Sequence, residues 1–179
     1  MRIIGGELGG RRIQPPTSMP HTRPTTDVAK EALFNILENN LDLSALSSLD
    51  LFGGTGCISY ELYSRGTRSL TIVEKDAQMV GFIKKTLTLL SIEHIRLVQS
   101  DVFRFLADTR EQYDLIFAGP PYALGNIDDL PRLIVKHELL RKGGWFVLEH
   151  TPRNSYRDFP HFRSERKYGT TIFSIFIVE

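Results

Sequence analysis

From residue 48 onward the chain alternates short apolar runs with longer amphipathic stretches, and this alternation limits the possible architecture more than any other feature. The runs 48–52, 69–74, 95–99, 113–118 and 145–149 read as strands, and 57–65, 77–90, 102–107 and 127–140 as the helices between them. Strands that are apolar on both faces need helices on both sides of their sheet. Repeated strand–helix units of this kind predict an α/β fold with a doubly wound, mostly parallel sheet. The tail differs: 162–168 and 171–178 flank Gly169, with β-branched and aromatic residues concentrated in the second run, and predict an antiparallel hairpin at one sheet edge. The first 24 residues, rich in Gly, Pro and Arg, read as a small β-hairpin followed by a loop. Thr25-Thr26-Asp27 then opens a capped helix over 28–37, with Leu33, Phe34, Ile36 and Leu37 on one face, and 42–48 is a loop or short turn. A chain of 179 residues suits one domain, here an N-terminal extension of 1–40 and a core of 48–179.

Composition excludes several classes. No apolar run approaches the roughly 20 residues of a membrane helix, and the N-terminus has no apolar segment of the secretory kind. The lone Cys57 can form neither an internal disulfide nor a cysteine-based metal site, and the five histidines show no ligand spacing, so no metal is expected. A cytoplasmic monomer is the default expectation. Net charge is only +1, but it is unevenly spread. Residues 1–24 carry four basic groups against one acid, and 141–168 carry seven against three, around a middle with 11 basic and 17 acidic residues. Basic ends around an acidic middle could form a phosphate-binding surface or simply be solvated faces.

In a doubly wound sheet, ligands bind at the carboxyl ends of the strands. The first strand runs into Gly53-Gly54-Thr55-Gly56, where glycines allow a tight turn and close backbone approach. The second ends at Glu74, 18 residues past Gly56, at a spacing suited to a ribose. The third ends near Asp101, which could reach an adenine amine or simply cap the next helix. The fourth ends at Gly119-Pro120-Pro121-Tyr122. Each feature alone has an ordinary structural explanation; their order, each at a strand end, points to a nucleoside-bearing cofactor. A nicotinamide-dependent dehydrogenase is the nearest rival, but Gly54-Thr55-Gly56 meets the third small position of that fingerprint only loosely, at Ser59. A phosphate-binding P-loop is excluded, because no Gly-Lys-Ser/Thr follows the glycines. Tyr60 and Trp145 read as core, and His150 as a polar strand end that could alternatively line the pocket.

These segments resemble a known family. Asp50–Gly56 with Glu74 and Asp101 is similar to the S-adenosylmethionine site of Rossmann-like class I methyltransferases, and Pro-Pro-Tyr resembles the (Asp/Asn)-Pro-Pro-(Tyr/Phe) motif of enzymes that methylate exocyclic base amines. Arg2-Ile3-Ile4-Gly5-Gly6, Gly10-Arg11-Arg12-Ile13, Arg23-Pro24-Thr25-Thr26-Asp27, 30–37 and Ser64-Arg65-Gly66 together resemble the bacterial RsmD family, the 16S rRNA (guanine-N2)-methyltransferases. The resemblance implies that Asp50, Gly53, Gly54 and Gly56 lie against the methionine moiety, with Phe52 and Lys75 also in the cofactor site. It likewise implies Glu74 at the ribose, and Asp101 with Val102 or Phe103 at the adenine. Gly119, Pro120, Pro121 and Tyr122 would form the catalytic segment. Arg2, Arg11, Arg12, Arg23, Thr25 and the basic tail would contact rRNA in the small ribosomal subunit or its assembly intermediate. A non-catalytic rRNA-binding protein of the same fold, and a methyltransferase acting on DNA or a small-molecule amine, are the other readings.

One position departs from the family pattern. Gly119 stands where an Asp or Asn would offer an acceptor to the amine protons, and losing one such preorganised group typically costs roughly 10²–10³ in rate. Either methyl transfer is weak while cofactor binding persists, or another acid, a water or a backbone carbonyl takes the acceptor role.

Overall fold

The structure is a computed structural model that describes residues 1–18 and 25–179. Seven strands form one sheet in the order β3-β2-β1-β4-β5-β7-β6. The strands are β1 (Ser47–Leu51), β2 (Ser69–Glu74), β3 (Arg96–Gln99), β4 (Tyr113–Ala118), β5 (Leu140–His150), β6 (Phe162–Tyr168) and β7 (Thr171–Ile177). β1 to β5 pair in parallel, whereas β7 runs antiparallel beside β5 and β6 closes the edge beyond it. The expected doubly wound sheet and C-terminal hairpin are both present.

Helices cover both faces because both faces are apolar. On one side Leu49, Leu51, Ile116, Ala118, Phe146 and Leu148 pack against α4 (Val102–Asp108) and α5 (Asp129–Lys136). On the other, Leu115, Phe117, Val147 and Phe173 meet α1 (Asp27–Asn40) and α2 (Cys57–Ser64). Thr26 caps α1 by accepting from the Ala29 N–H at 3.2 Å, as its position before an apolar-periodic stretch predicts. Trp145 belongs to the second of these cores, and Tyr60 is buried in a separate apolar cluster under the N-terminal hairpin.

The N-terminal hairpin is held by Ile3 N–H to Arg11 carbonyl (2.9 Å), Gly10 N–H to Ile3 carbonyl (2.8 Å) and Ile13 N–H to Met1 carbonyl (2.9 Å). Its apolar residues Ile3 and Ile13 pack with Tyr60 and with Leu90 and Ile92, which follow α3 (Ala77–Leu89).

The largest boundary differences from the sequence reading lie at α5 and β5. The helix expected over 127–140 spans only Asp129–Lys136, and Leu140 belongs to β5. Glu138 takes a left-handed φ of 52° that ends the helix, and the Leu139 carbonyl accepts the Tyr113 N–H at 2.8 Å. The strand expected over 145–149 consequently begins at Leu140, with a register shift against β4 between Tyr113 and Leu115.

Candidate cofactor and base-amine site

The strand order reverses between β1 and β4, and that switch point is where a doubly wound sheet opens a crevice. The two segments singled out in the sequence leave the sheet side by side there. Leu51 and Ala118 are paired, and the Gly119 N–H reaches the Leu51 carbonyl at 3.4 Å.

The turn after β1 is tightly wound. Phe52, Gly54 and Gly56 all have positive φ (60°, 57° and 84°), so the chain reverses within a few residues before α2 starts. At Gly56 the left-handed backbone and the Tyr60 ring leave no room for a side chain: a Cβ would lie 2.4 Å from the Tyr60 hydroxyl. The Gly53 N–H donates to the Val73 carbonyl (2.9 Å) and the Gly54 N–H to Glu74 Oε1 (3.0 Å), which ties the turn to β2.

Asp50 lies beneath this turn, 1% exposed, and accepts a hydrogen bond from the Ser59 hydroxyl at 2.7 Å. Burial pushes its pKa up to about 7, with the nearby Glu74 charge adding to the rise and Ser59 opposing it. A carboxylate that is hard to ionise in a buried position suits a cationic partner, because a positive charge would offset its desolvation.

Glu74 is partly exposed at the end of β2, its Oε2 accepting the Asp76 N–H at 2.7 Å, and Lys75 is exposed beside it. Asp101 caps α4 through the Arg104 N–H (3.2 Å), as weighed from the sequence. Its other oxygen accepts no hydrogen bond among the described residues. Val102 is buried in the core and Phe103 only partly so. The cradle of glycines, the buried Asp50 and the acids at the next two strand ends are compatible with an adenosyl amino acid.

On the β4 side Pro120 is buried, Pro121 exposed and Tyr122 half-buried. Apart from its chain neighbours, a Cβ at Gly119 would meet only the Phe117 ring, at 3.1 and 3.5 Å, so among the other described residues no carboxylate or amide oxygen lies within 4 Å of that position. The carboxylate that does reach this segment is Glu149 at the end of β5: its Oε2 accepts from the Tyr122 hydroxyl (3.2 Å) and its Oε1 from the Thr25 hydroxyl (2.6 Å). Sequence reasoning missed Glu149, although a lone acid ending the apolar run 145–148 was the available signal. His150 does not line the crevice. It is buried, bonded to Ser174 (2.6 Å) and the Thr151 carbonyl (2.8 Å), and burial lowers its pKa.

The residues expected to meet rRNA are distributed less simply. Arg11 and Arg12 are exposed on the hairpin, and Arg2 pairs with Asp27 at 2.9 Å. Thr25 turns inward to Glu149. Arg23 lies outside the described residues. In the basic tail, Arg141 pairs with Asp114 (2.9 Å), Arg157 with Glu165 and Arg163 with Glu179, while Arg166 and Lys167 are exposed. Among the described residues no group of His, Cys, Asp or Glu could hold a metal ion, and no helix is long and apolar enough to cross a membrane.

Comparison with known proteins bears on the family and the fold. The family model described as "Conserved hypothetical protein 95" matches residues 1–177. The ribosomal RNA small subunit methyltransferase D of Escherichia coli strain K12 is 33% identical over 149 residues, covering 83% of this chain and 71% of that protein. A solved structure titled as a putative methyltransferase from Escherichia coli superposes with a TM-score of 0.86 at 27% identity, covering 100% of this chain and 98% of the other. At the level of fold alone, the Thermus thermophilus 16S rRNA N2 G1207 methyltransferase, solved with AdoMet and guanosine, matches with a TM-score of 0.69 at 23% identity, over 87% of this chain and 44% of that one. The chain thus has the class I S-adenosylmethionine-dependent methyltransferase fold and belongs to the family of the small-subunit rRNA methyltransferases D, the RsmD family.

Proposed function

We propose that this protein transfers a methyl group from S-adenosylmethionine to the exocyclic N2 amine of a guanine in 16S rRNA of the small ribosomal subunit. The observation that carries the proposal is the pairing of the glycine turn after β1 with Gly119–Tyr122 after β4 at one switch point, in a chain of this family. The relative named for small-subunit rRNA methylation supports the rRNA part of the reading.

When bound, the cofactor supplies an electrophilic methyl group on a sulfonium centre. The protein's own residues hold and orient. Asp50, with Phe52, Gly53, Gly54 and Gly56, would face the amino-acid end of the cofactor, where a cation relieves the cost of ionising Asp50. Glu74 and Lys75 would meet the ribose, and Asp101 and Val102 the adenine. An exocyclic guanine amine is a poor nucleophile, because its lone pair is delocalised into the ring. The Pro120 carbonyl would accept a hydrogen bond from the amine N–H and turn the lone pair toward the methyl group, and Tyr122 would stack on a base swung out of the RNA. Exposed Arg11 and Arg12, with Arg2 and Arg23, would bind phosphates.

Gly119 contributes no acceptor. Its φ lies outside the left-handed region, and Phe117 need yield only a few tenths of an ångström to admit a Cβ. Gly119→Asp should therefore fold and raise methyl transfer by roughly 10²–10³. The assay is transfer of labelled methyl to small-subunit particles lacking the modification; equal rates for the two proteins would overturn the role assigned to this position. The empty acceptor position also favours a second reading, a protein that binds rRNA without modifying it. Calorimetry with S-adenosylmethionine separates the two, since a purely binding protein has no need of a working cofactor site.

A further inference from the structure

Glu149 lies at the carboxyl end of β5, one residue beyond the Ala118–Leu148 pair and so beside Gly119. It shares a sheet face with Phe117 and Val147, the face covered by α1. Only 4% of it is exposed. A carboxylate this buried is retained only where its hydrogen bonds offset the loss of water. Its two oxygens have separate partners from distant parts of the chain: Thr25, at the entry to α1, and Tyr122, in the segment after β4. The Tyr122 hydroxyl also lies 3.4 Å from Thr171 Oγ1 on β7. Three segments that the sequence reading treated separately thus meet at one carboxylate.

We propose that Glu149 is a positioning residue, whose carboxylate latches the Tyr122 hydroxyl to Thr25 and so fixes the tyrosine ring against which the target base stacks. The proposal rests on the methyltransferase reading above and adds to it that α1 and the base pocket are mechanically joined. A base that must stack in one orientation loses productive encounters when its platform swings, so the latch acts on both substrate KM and kcat while leaving the cofactor cradle untouched.

The test is a double-mutant cycle on labelled-methyl transfer to small-subunit particles, with Glu149→Ala, Tyr122→Phe and the pair. Each single change should lower kcat/KM about tenfold, through both a higher KM and a lower kcat, with S-adenosylmethionine affinity by calorimetry unchanged. The double variant should be no worse than the poorer single, and Glu149→Gln, which keeps polar atoms in place, should recover to within about threefold of the original. Additive losses, or a Tyr122→Phe variant with unaltered kcat/KM, would overturn the latch. The same cycle run on Gly119→Asp distinguishes positioning from direct contact with the amine. The Glu149→Ala loss should persist there, and its disappearance would make Glu149 a stand-in acceptor and refute the proposal. Tyrosine-ring carbon signals, with Tyr122 assigned through Tyr122→Phe, report on the latch without catalysis. They should shift in Glu149→Ala and in Thr25→Ala, and a Tyr122 signal unmoved in both would refute the latch. If no variant transfers methyl groups while these signals shift, it is the substrate assignment that fails and not the latch.

Discussion

Asp50 shows how the protonation of a single buried acid is linked to stability. Its folded-state pKa of about 7 lies above the 3.8 of an unburied aspartate, so the folded state binds a proton that the unfolded chain gives up. The corresponding stability is complete below pH 4 and is lost as the pH rises toward and through 7. A gap of that size is worth roughly 4 kcal/mol at most. Urea denaturation of the wild-type protein should therefore show a clear fall in stability between pH 5 and pH 8, and Asp50→Asn should flatten it. An unchanged slope would mean that Asp50 stays ionised throughout. At residue scale the sequence disclosed identities better than roles. Gly56 and Glu74 could be chosen from their places at strand ends, and Asp50 from the family resemblance alone. That Thr25 faces Glu149 depends on two segments 124 residues apart, and no local pattern reports such a contact.

At the scale of elements, the N-terminal hairpin is fastened to α2 by an unusually dense set of contacts. Glu61 is fully buried and accepts the N–H groups of Ile4 and Gly5, both at 2.9 Å, while bonding Arg65 at 2.8 Å and lying 3.4 Å from the buried Lys30. Burial by itself would raise the Glu61 pKa, but the two backbone donors, Arg65 and the Lys30 charge outweigh it and hold the group low. Its contribution is thus present above the ordinary glutamate range and lost as the pH falls through it. Gly6, at a φ of 76°, passes so close to the end of α2 that a Cβ would lie 1.9 Å from the Ser64 carbonyl oxygen. The paired motifs Arg2–Gly6 and Ser64–Gly66 are therefore two sides of one junction, and part of what their resemblance to the family signalled is architecture, not RNA contact. Removing one partner of a buried pair typically costs about 3–5 kcal/mol. Glu61→Ala should destabilise by about that much and release hydrogen-exchange protection at Ile3 and Ile13 before the sheet opens. Retained protection at both amides would show that the apolar contacts alone hold the hairpin.

The same scale explains the misplaced boundary. Leu139 and Leu140 continue an apolar pattern compatible with α5, so periodicity alone extends the helix. The helix stops because β5 gains ladder partners by starting at Leu140, a tertiary advantage that a window of sequence does not contain. The five parallel strands and the terminal hairpin were legible because each is a short run with apolar residues on both faces or with β-branched residues beside a turn.

Across the whole molecule, the fold brings the glycine turn, the Pro-Pro-Tyr segment and the start of α1 to one end of the sheet, with the hairpin bearing Arg11 and Arg12 on the α2 side. The bulk of the chain is acidic, so RNA affinity must come from local basic patches and fall with salt. Changing both Arg11 and Arg12 to Ala should raise the KM for small-subunit particles about tenfold and reduce its salt dependence, with S-adenosylmethionine binding unaltered. A KM indifferent to both arginines would move the RNA footprint to the Arg166–Lys167 side. The identity of the methylated atom decides the proposed function. The direct measurement is nucleoside mass spectrometry of 16S rRNA from unmodified small-subunit particles, incubated with stoichiometric protein and S-adenosylmethionine and, in parallel, with the Gly119→Asp variant. N2-methylguanosine is the expected single new nucleoside, at low yield with the original protein and at high yield with the variant. A methyl group on adenine or on a guanine ring nitrogen, or none from either protein, would contradict it.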